Sequence, residues 1–378
     1  MPAPRPVPVP ARPPHRLSLR TRGARPVSTP ASLGYRMPAE WEPHAATWLS
    51  WPHDPITFPG RVPDVEDTYK EMIRALTKGE RVNLLVKDEN TYERVQEWAA
   101  DEGVKNLVLW DIPPADVWFR DYGPLFVKRD IPGSTRSEVA MTKWIFNAWG
   151  DKYETLLPDN GIPFQLQPHL GMQLFEAGIV MEGGSLEVNG AGTLMTTEQC
   201  LLNPNRNPSL TKAEIERKLS DFLGVRHFLW LGEGIEADDT DGHIDDIARF
   251  VGPRTVVAAV EPDEDDFNHK PLAENLAKLR KMTDQDGKPL QVVELPMPGW
   301  FGDDEGRLPA SYANFYIGNR CVLLPVFRHE NDRRATEIVQ KLFPTRAVVP
   351  IYAGDLVHGM GTFHCVTQQQ PLGVQSAP

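Results

Sequence analysis

Cysteine is scarce in this 378-residue chain, which holds only Cys200, Cys321 and Cys365. So small and odd a set cannot supply the disulfide framework of a secreted protein of this size. With no apolar signal-peptide core near the start, a reducing compartment is expected, and the cytoplasm is the assignment. Long hydrophobic runs are also missing. No stretch approaches the roughly 20 apolar residues of a membrane-spanning helix, so a soluble protein with no membrane partner is expected. No G-x-G-x-x-G opens a helix, which removes the usual dinucleotide fingerprint. Acidic residues are absent from positions 1–36, a segment that holds seven arginines.

The rest of the chain is correspondingly acidic. Of 40 basic residues, 33 lie beyond that segment, against 52 acids, a balance of −19 where the whole chain carries −12. A body of this charge repels nucleic-acid backbones and draws small cations by long-range steering. Residues 1–35 are rich in Pro and Arg and form no core. They are expected to be a disordered tail, with an organelle-targeting peptide as the alternative; the density of Pro argues against an amphipathic import helix. Residues 36–372 are expected to form one catalytic α/β domain and 373–378 a short C-terminal tail. A homo-oligomer is left open.

From Tyr35 onward short apolar strands alternate with amphipathic helices, which places the chain in the α/β class. Helices are expected over Asp64–Lys78, Thr91–Ala100, Leu272–Lys281 and Arg333–Phe343. Another runs from Thr211 to Phe222, where Glu214 completes a capping box. Strands are expected at Val82–Val86, Leu107–Trp110, His227–Leu231, Ile247–Val251, Thr255–Val260, Val292–Leu295 and Ala347–Tyr352. Tyr312–Ile317 and Cys321–Pro325 should pair around Gly318–Asn319. The irregular spacing suggests repeated mixed units rather than one parallel sheet.

Four polar clusters fall in turns beside these strands, where scaffold-held chemistry is usually sited. In Asp116–Pro124 (DVWFRDYGP), Trp118 offers an aromatic face to a flat cation and Asp121 offers acceptors to its N–H groups; the plain alternative is a surface pair between Arg120 and Asp121. Glu182 precedes a Gly pair that permits close backbone approach. The run Asp238–Asp246 sets five acids around His243. It could be a metal site, a solvated loop, or a charged pocket with His243 as proton carrier. Last, Gly354, Gly359 and Gly361 lead to Cys365, which is followed by polar TQQQ. The neighbouring His364 should face the opposite way from Cys365, and His358 is given no role. Cys200 and Cys321 sit in apolar runs and read as buried structural residues.

These residue types fit one reaction. A guanidinium carbon is a poor electrophile because its charge is spread over three nitrogens. Attack on it needs carboxylates that grip the planar cation by bidentate, charge-assisted hydrogen bonds. It needs a thiolate as nucleophile and a His that protonates departing ammonia and then activates water.

At DVWFRDYGP, EGGSLEVNGAGTLMTTEQCLLNPNRNP, DDTDGHIDD, LPASYANFY and GTFHCVTQQQP the sequence resembles the agmatine deiminase family, which includes the bacterial type of peptidylarginine deiminase. The likeness runs from Met37 to Pro371. It implies the guanidine-modifying fold, a five-fold pseudosymmetric α/β propeller with its active site in the central channel. It also implies Cys365 as nucleophile, His243 as general acid and base, Asp121 and Asp245 on the guanidinium nitrogens, and Glu182 beside them. Trp118 would line the channel and Asn314 would be a further polar neighbour. No metal and no organic cofactor are implied.

The expected partner is a small cationic guanidine, with agmatine hydrolysed to N-carbamoylputrescine and ammonia through a Cys365 thiouronium. Asp239 or Asp241 would receive the amine at the far end. Two departures bear on the substrate: a Gly-Met-Gly-Thr-Phe-His-Cys loop where the family usually has Gly-Gly-Gly-Asn-Ile-His-Cys, and Tyr122 where agmatine deiminases usually carry Thr. The alternatives are a deiminase of free or peptidyl arginine, whose carboxylate would need a cation such as Arg206 or Arg328, and a non-catalytic metal- or polyamine-binding protein.

Overall fold

The computed structural model describes residues 28–375. Its strands fall into five sheets built on one plan, apart from a small hairpin at Gly302–Arg307. In each sheet a short first strand runs antiparallel to a second, the second lies parallel to a third, and a helix carries the chain between them. A parallel pair requires such a crossover because its strands cannot be joined by a tight turn.

In the first unit Gln368–Pro371 pairs antiparallel with His44–Ser50, which lies parallel to Arg81–Val86; Leu107–Asp111 extends this sheet. The second unit comprises Leu125–Asp130, Ser137–Ile145 and Leu174–Val180. Glu187–Val188, Thr193–Thr197 and His227–Leu231 form the third. The fourth is Ala248–Phe250, Thr255–Val260 and Gln291–Pro296. Tyr316–Ile317, Cys321–Val326 and Ala347–Tyr352 make the fifth. The first strand of the first unit comes from the far end of the chain, so the two ends are stitched into one sheet.

The crossover helices are Val62–Leu76, Ile162–Leu170, Lys212–Leu223, His269–Leu279 and Asn331–Leu342. Val62–Leu76 shows why they dock: Val65, Tyr69, Met72, Ile73 and Leu76 share one face and are all buried, the spacing of an amphipathic stripe. The capping box holds, with Thr211 and Glu214 each accepting the other's backbone N–H. Asp88 caps Glu89–Asp101 by accepting from the Thr91 amide at 2.8 Å, which starts that helix earlier than the apolar pattern indicates. No helix among the described residues is long and apolar enough to cross a membrane.

Three expectations need correction. The tail does not extend to residue 35. Ala31–Leu33 form a 3-10 turn and Tyr35 is buried, edge-on to Phe175 with the Arg129 guanidinium over its ring. The expected disorder of residues 1–27 lies outside the described residues. At the other end, Val374–Gln375 pair parallel to Glu138–Val139 rather than trailing off. Finally, the strand expected over Tyr312–Ile317 is only Tyr316–Ile317. Ser311–Asn314 is instead a turn, held by a Ser311 hydroxyl that donates to the Asp246 carbonyl.

Candidate active site

In every unit a short irregular segment immediately precedes the first strand, and these five segments carry the polar chemistry. They are the single helical turn Phe119–Tyr122, the turn Gly183–Ser185 after Glu182, the turn Ile244–Asp246 after His243, the Ser311–Asn314 turn, and the single helical turn Phe363–Val366. Periodicity cannot detect helices of one turn, which is why Asp121 and Cys365 read as loop residues.

The segments meet at Gly184. A Cβ at this position would lie 2.5 Å from His243 Nδ1, 2.9 Å from Asp121 Oδ1 and 3.1 Å from Asp245 Oδ2. Only glycine lets these three groups converge. Asp121 is fixed by the Trp149 indole N–H at 2.9 Å and the Gly184 amide at 2.9 Å. Arg206 donates from Nε to Glu182 Oε1 at 2.6 Å. The Cys365 thiol lies 3.1 Å from Asn314 Nδ2 and 3.7 Å from Asp245 Oδ2. Both ring nitrogens of His243, Glu182 Oε2 and Asp245 Oδ1 are buried with no hydrogen-bond partner. Buried polar atoms are rarely left so, and a cluster of them is what a planar cation with many N–H groups would satisfy.

A cavity of about 200 Å³ leads to Cys365. Its lining among the described residues includes the carboxylates Asp54, Asp116, Asp121 and Asp239, the aromatics Trp118, Trp149 and Tyr153, and neither Lys nor Arg. The electrostatics of the site follow from burial. Asp121 is pushed well up, by burial first and then by Asp245 and Glu182. Burial would also raise Asp245, but the hydrogen bond and charge of His364 hold it below the usual carboxylate value. The Cys365 thiol is pushed well up by burial and by Asp245, Asp246 and Asp121. Burial drives His243 down to about 3, so the imidazole is neutral at pH 7. Two groups could geometrically hold a metal, Glu182 with Cys200 and His243, and Asp245 with Asp246 and Cys365; in each the ligand atoms lie within 4.8 Å of one another. Asp238, Asp239 and Asp241 of the acidic run belong to neither set; Asp238 instead accepts from the amides of Thr240, Gly242 and His243.

Of the residues singled out in the sequence, the structure brings Cys365, His243, Asp121, Asp245 and Glu182 together, with Trp118 on the cavity wall. The rest sit differently. Asp241 does not line the cavity; it is paired with Arg206 at 2.7 Å and Lys152 at 3.0 Å. Asp239 does line it, but its carboxylate already meets the Tyr153 hydroxyl and Lys152. Asn314 lies behind the thiol rather than on the cavity wall, and its Oδ1 accepts from the Thr362 hydroxyl at 2.8 Å and the His364 amide at 2.9 Å. It shapes the turn that carries Cys365.

Tyr122 also faces away from the cavity, with its hydroxyl on Ser50 and the Asp116 carbonyl. Arg120 makes no surface pair with Asp121: it is buried and donates to the His364 carbonyl at 3.1 Å and Gln369 Oε1 at 2.9 Å. Arg206 is consumed by Glu182, Asp241 and the Thr240 carbonyl, and Arg328 stacks on Tyr352. Neither lines the cavity. His358, given no role, does line it and lies 3.5 Å from Asp303.

Sequence reasoning missed Trp149 and the buried charges Glu40, Glu187 and Arg249. Trp149 has one usable signal, an aromatic residue beside a Gly-Asp turn. The buried charges have none, because their partners are distant in the chain.

A family profile described as Porphyromonas-type peptidyl-arginine deiminase matches residues 36–371. The agmatine deiminase of Pseudomonas aeruginosa (strain LESB58) is 36% identical over 375 residues, covering 92% of this chain and 98% of that protein. The solved agmatine deiminase of Enterococcus faecalis superposes with a TM-score of 0.85 at 32% identity, over 92% of this chain and 98% of that one. A cysteine-to-serine form of the C. jejuni agmatine deiminase with substrate bound gives 0.80 at 28% identity, over 90% and 97%. With the match spanning all five units and the convergent site, the chain belongs to the Porphyromonas-type peptidyl-arginine deiminase family.

Proposed function

We propose that the protein hydrolyses agmatine to N-carbamoylputrescine and ammonia through a covalent intermediate on Cys365. One observation carries this reading: a cavity walled by carboxylates and aromatics, without Lys or Arg among its described lining residues, ends at a buried thiol. A guanidinium is attracted there, whereas the α-carboxylate of arginine meets no Lys or Arg among the described lining residues, and the nearby Lys152 is already paired with Asp239 and Asp241. The names of the solved relatives agree.

The substrate itself activates the site. The neighbouring carboxylates disfavour the Cys365 thiolate and one another. A guanidinium between Asp121 and Asp245 supplies the missing positive charge, which lowers both the Asp121 carboxyl and the thiol. Neutral His243 takes the thiol proton as sulfur adds to the guanidinium carbon. The resulting imidazolium gives that proton to the departing nitrogen, and ammonia leaves an S-linked thiouronium. His243 then accepts a proton from water as hydroxide adds to the same carbon. Collapse breaks the C–S bond and frees the urea product; the imidazolium proton returns to sulfur, and the hydroxyl proton is released to solvent, where it converts the departed ammonia to ammonium. Glu182, paired with Arg206 on one oxygen, keeps the other for the reacting centre.

The architecture belongs to the same reading. Five units of one strand pattern, each delivering a polar segment before its first strand, are what an α/β propeller closed around a central channel would contain. A cytoplasmic setting suits a nucleophile that must stay reduced, and all three cysteines are free.

The test is ammonia release from purified protein given agmatine or L-arginine separately at equal concentrations. Release from agmatine alone supports the assignment; release from arginine alone overturns it in favour of an arginine deiminase.

A further inference from the structure

Behind the cavity, Asp245 is one end of a buried chain of charges that the reaction above does not use. His364 Nδ1 lies 2.7 Å from Asp245 Oδ2, and its Nε2 lies 2.8 Å from Glu40 Oε2. A carboxylate oxygen lies at each ring nitrogen, a pair of acceptors that the two N–H donors of an imidazolium would satisfy. Glu40 is in turn held by Arg249 at 2.9 Å, Arg120 at 3.4 Å and the Ile317 amide at 2.8 Å. Arg249 also binds Glu187 at 2.9 Å and the carbonyls of Ala313 and Phe315. Every unit contributes to this hub: His364 from the segment ahead of the first, Arg120 from that ahead of the second, Glu187 the third, Arg249 the fourth and Ile317 the fifth. Three anions, Glu40, Glu187 and Asp245, balance three cations, Arg120, Arg249 and His364.

We infer that Glu40 is a positioning residue for catalysis, acting through the His364 imidazolium to fix Asp245 with one oxygen held and the other free for substrate. Asp245 divides its two oxygens accordingly. Oδ2 takes the short bond to His364 and the longer one from the Cys365 thiol, and Oδ1 has no partner among the described residues. A carboxylate clamped on one oxygen cannot rotate without breaking a charge-assisted bond. The hub therefore transmits the packing of all five units to one substrate-binding atom. Asp245 is also faced by His243, Arg249, Asp238, Asp246, Asp121 and Cys365. Of these groups the Cys365 thiol also donates to Asp245 Oδ2, at 3.7 Å, a longer contact than the 2.7 Å to His364.

The inference rests on the deiminase reading, so the experiment has one readout that needs substrate and one that does not. Glu40→Gln and His364→Gln are compared with the wild type, together with the double variant. The first readout is the pH profile of kcat/KM for agmatine. The second is the pH dependence of Cys365 alkylation by iodoacetamide. Without the imidazolium, Asp245 holds its proton to higher pH, so the acid limb moves up, by about one unit. The negative charge of Asp245 is then uncompensated beside the thiol, so the alkylation midpoint also moves up. Activity at neutral pH falls about tenfold or more, and the double variant is no worse than His364→Gln alone because the two act in series.

A merely structural role would lower activity equally at every pH, with both curves unmoved, and that result overturns the inference; so does unchanged activity. If Glu40→Gln fails to fold, His364→Gln decides the matter, since it leaves Glu40 paired with both arginines. If the wild type releases no ammonia from agmatine, the substrate assignment fails while the alkylation curve still reads the relay.

Discussion

Gly184 and His243 touch so closely that a methyl group on the glycine would lie 2.5 Å from the imidazole Nδ1. The glycine serves proximity here, since Asp121 and Asp245 press on the same point.

Gly184→Ala should therefore act on catalysis before it acts on folding. The added methyl either occupies the space where the guanidinium sits or pushes His243 aside. Overpacking of this size costs about 1–3 kcal/mol of stability, whereas a misplaced reacting group costs on the order of 100-fold in rate. Steady-state kinetics beside a thermal melt will show a folded protein with kcat/KM down by at least that factor.

Cys365→Ala removes the nucleophile while leaving a cavity lined by the same carboxylates. Turnover should fall by on the order of 10⁴-fold or more, while agmatine still raises the melting temperature by binding the native state. Cys321→Ala, in an apolar strand away from the site, should keep its activity. Ammonia release and melts with and without agmatine check all three statements.

Arg206 lies fully buried between Glu182 and Asp241. Replacing it with Met strands the Glu182 carboxylate, at a cost of about 3–5 kcal/mol. Adding Glu182→Gln removes the stranded charge and should restore part of that loss without restoring activity. Urea unfolding of the single and double variants measures it.

The buried His243 ties stability to pH. Its folded value, pushed to about 3, lies below its ordinary 6.5, so between these limits the unfolded chain binds the extra proton. Stability from this residue is lost as pH falls through that window and is fully present above it. In His243→Gln the fall in unfolding free energy from pH 6.5 to pH 4 should be shallower than in the wild type. An equal slope in both proteins would mean that another group governs acid unfolding.

The sequence by itself determined the local elements and which polar residues to expect at one place. The stripe from Val65 to Leu76, the Thr211–Glu214 box and the strands at His227–Leu231 and Thr255–Val260 were legible because burial of one face leaves a period in the chain. Cys365, His243, Asp121, Asp245 and Glu182 were legible because each sits in a compact motif whose residue types suit attack on a guanidinium. Tertiary structure alone decided which charges face the substrate. Asp241 and Arg206 neutralise each other, Asn314 holds the thiol's turn, and Tyr122 faces away, although their motifs place all of them near the site. It also decided the hub. Glu40 meets Arg120, Arg249, Ile317 and His364, which are 80 to 324 positions away. The energy of a buried charge depends on the charges that surround it in space, and neighbours so distant along the chain leave no mark in its local pattern.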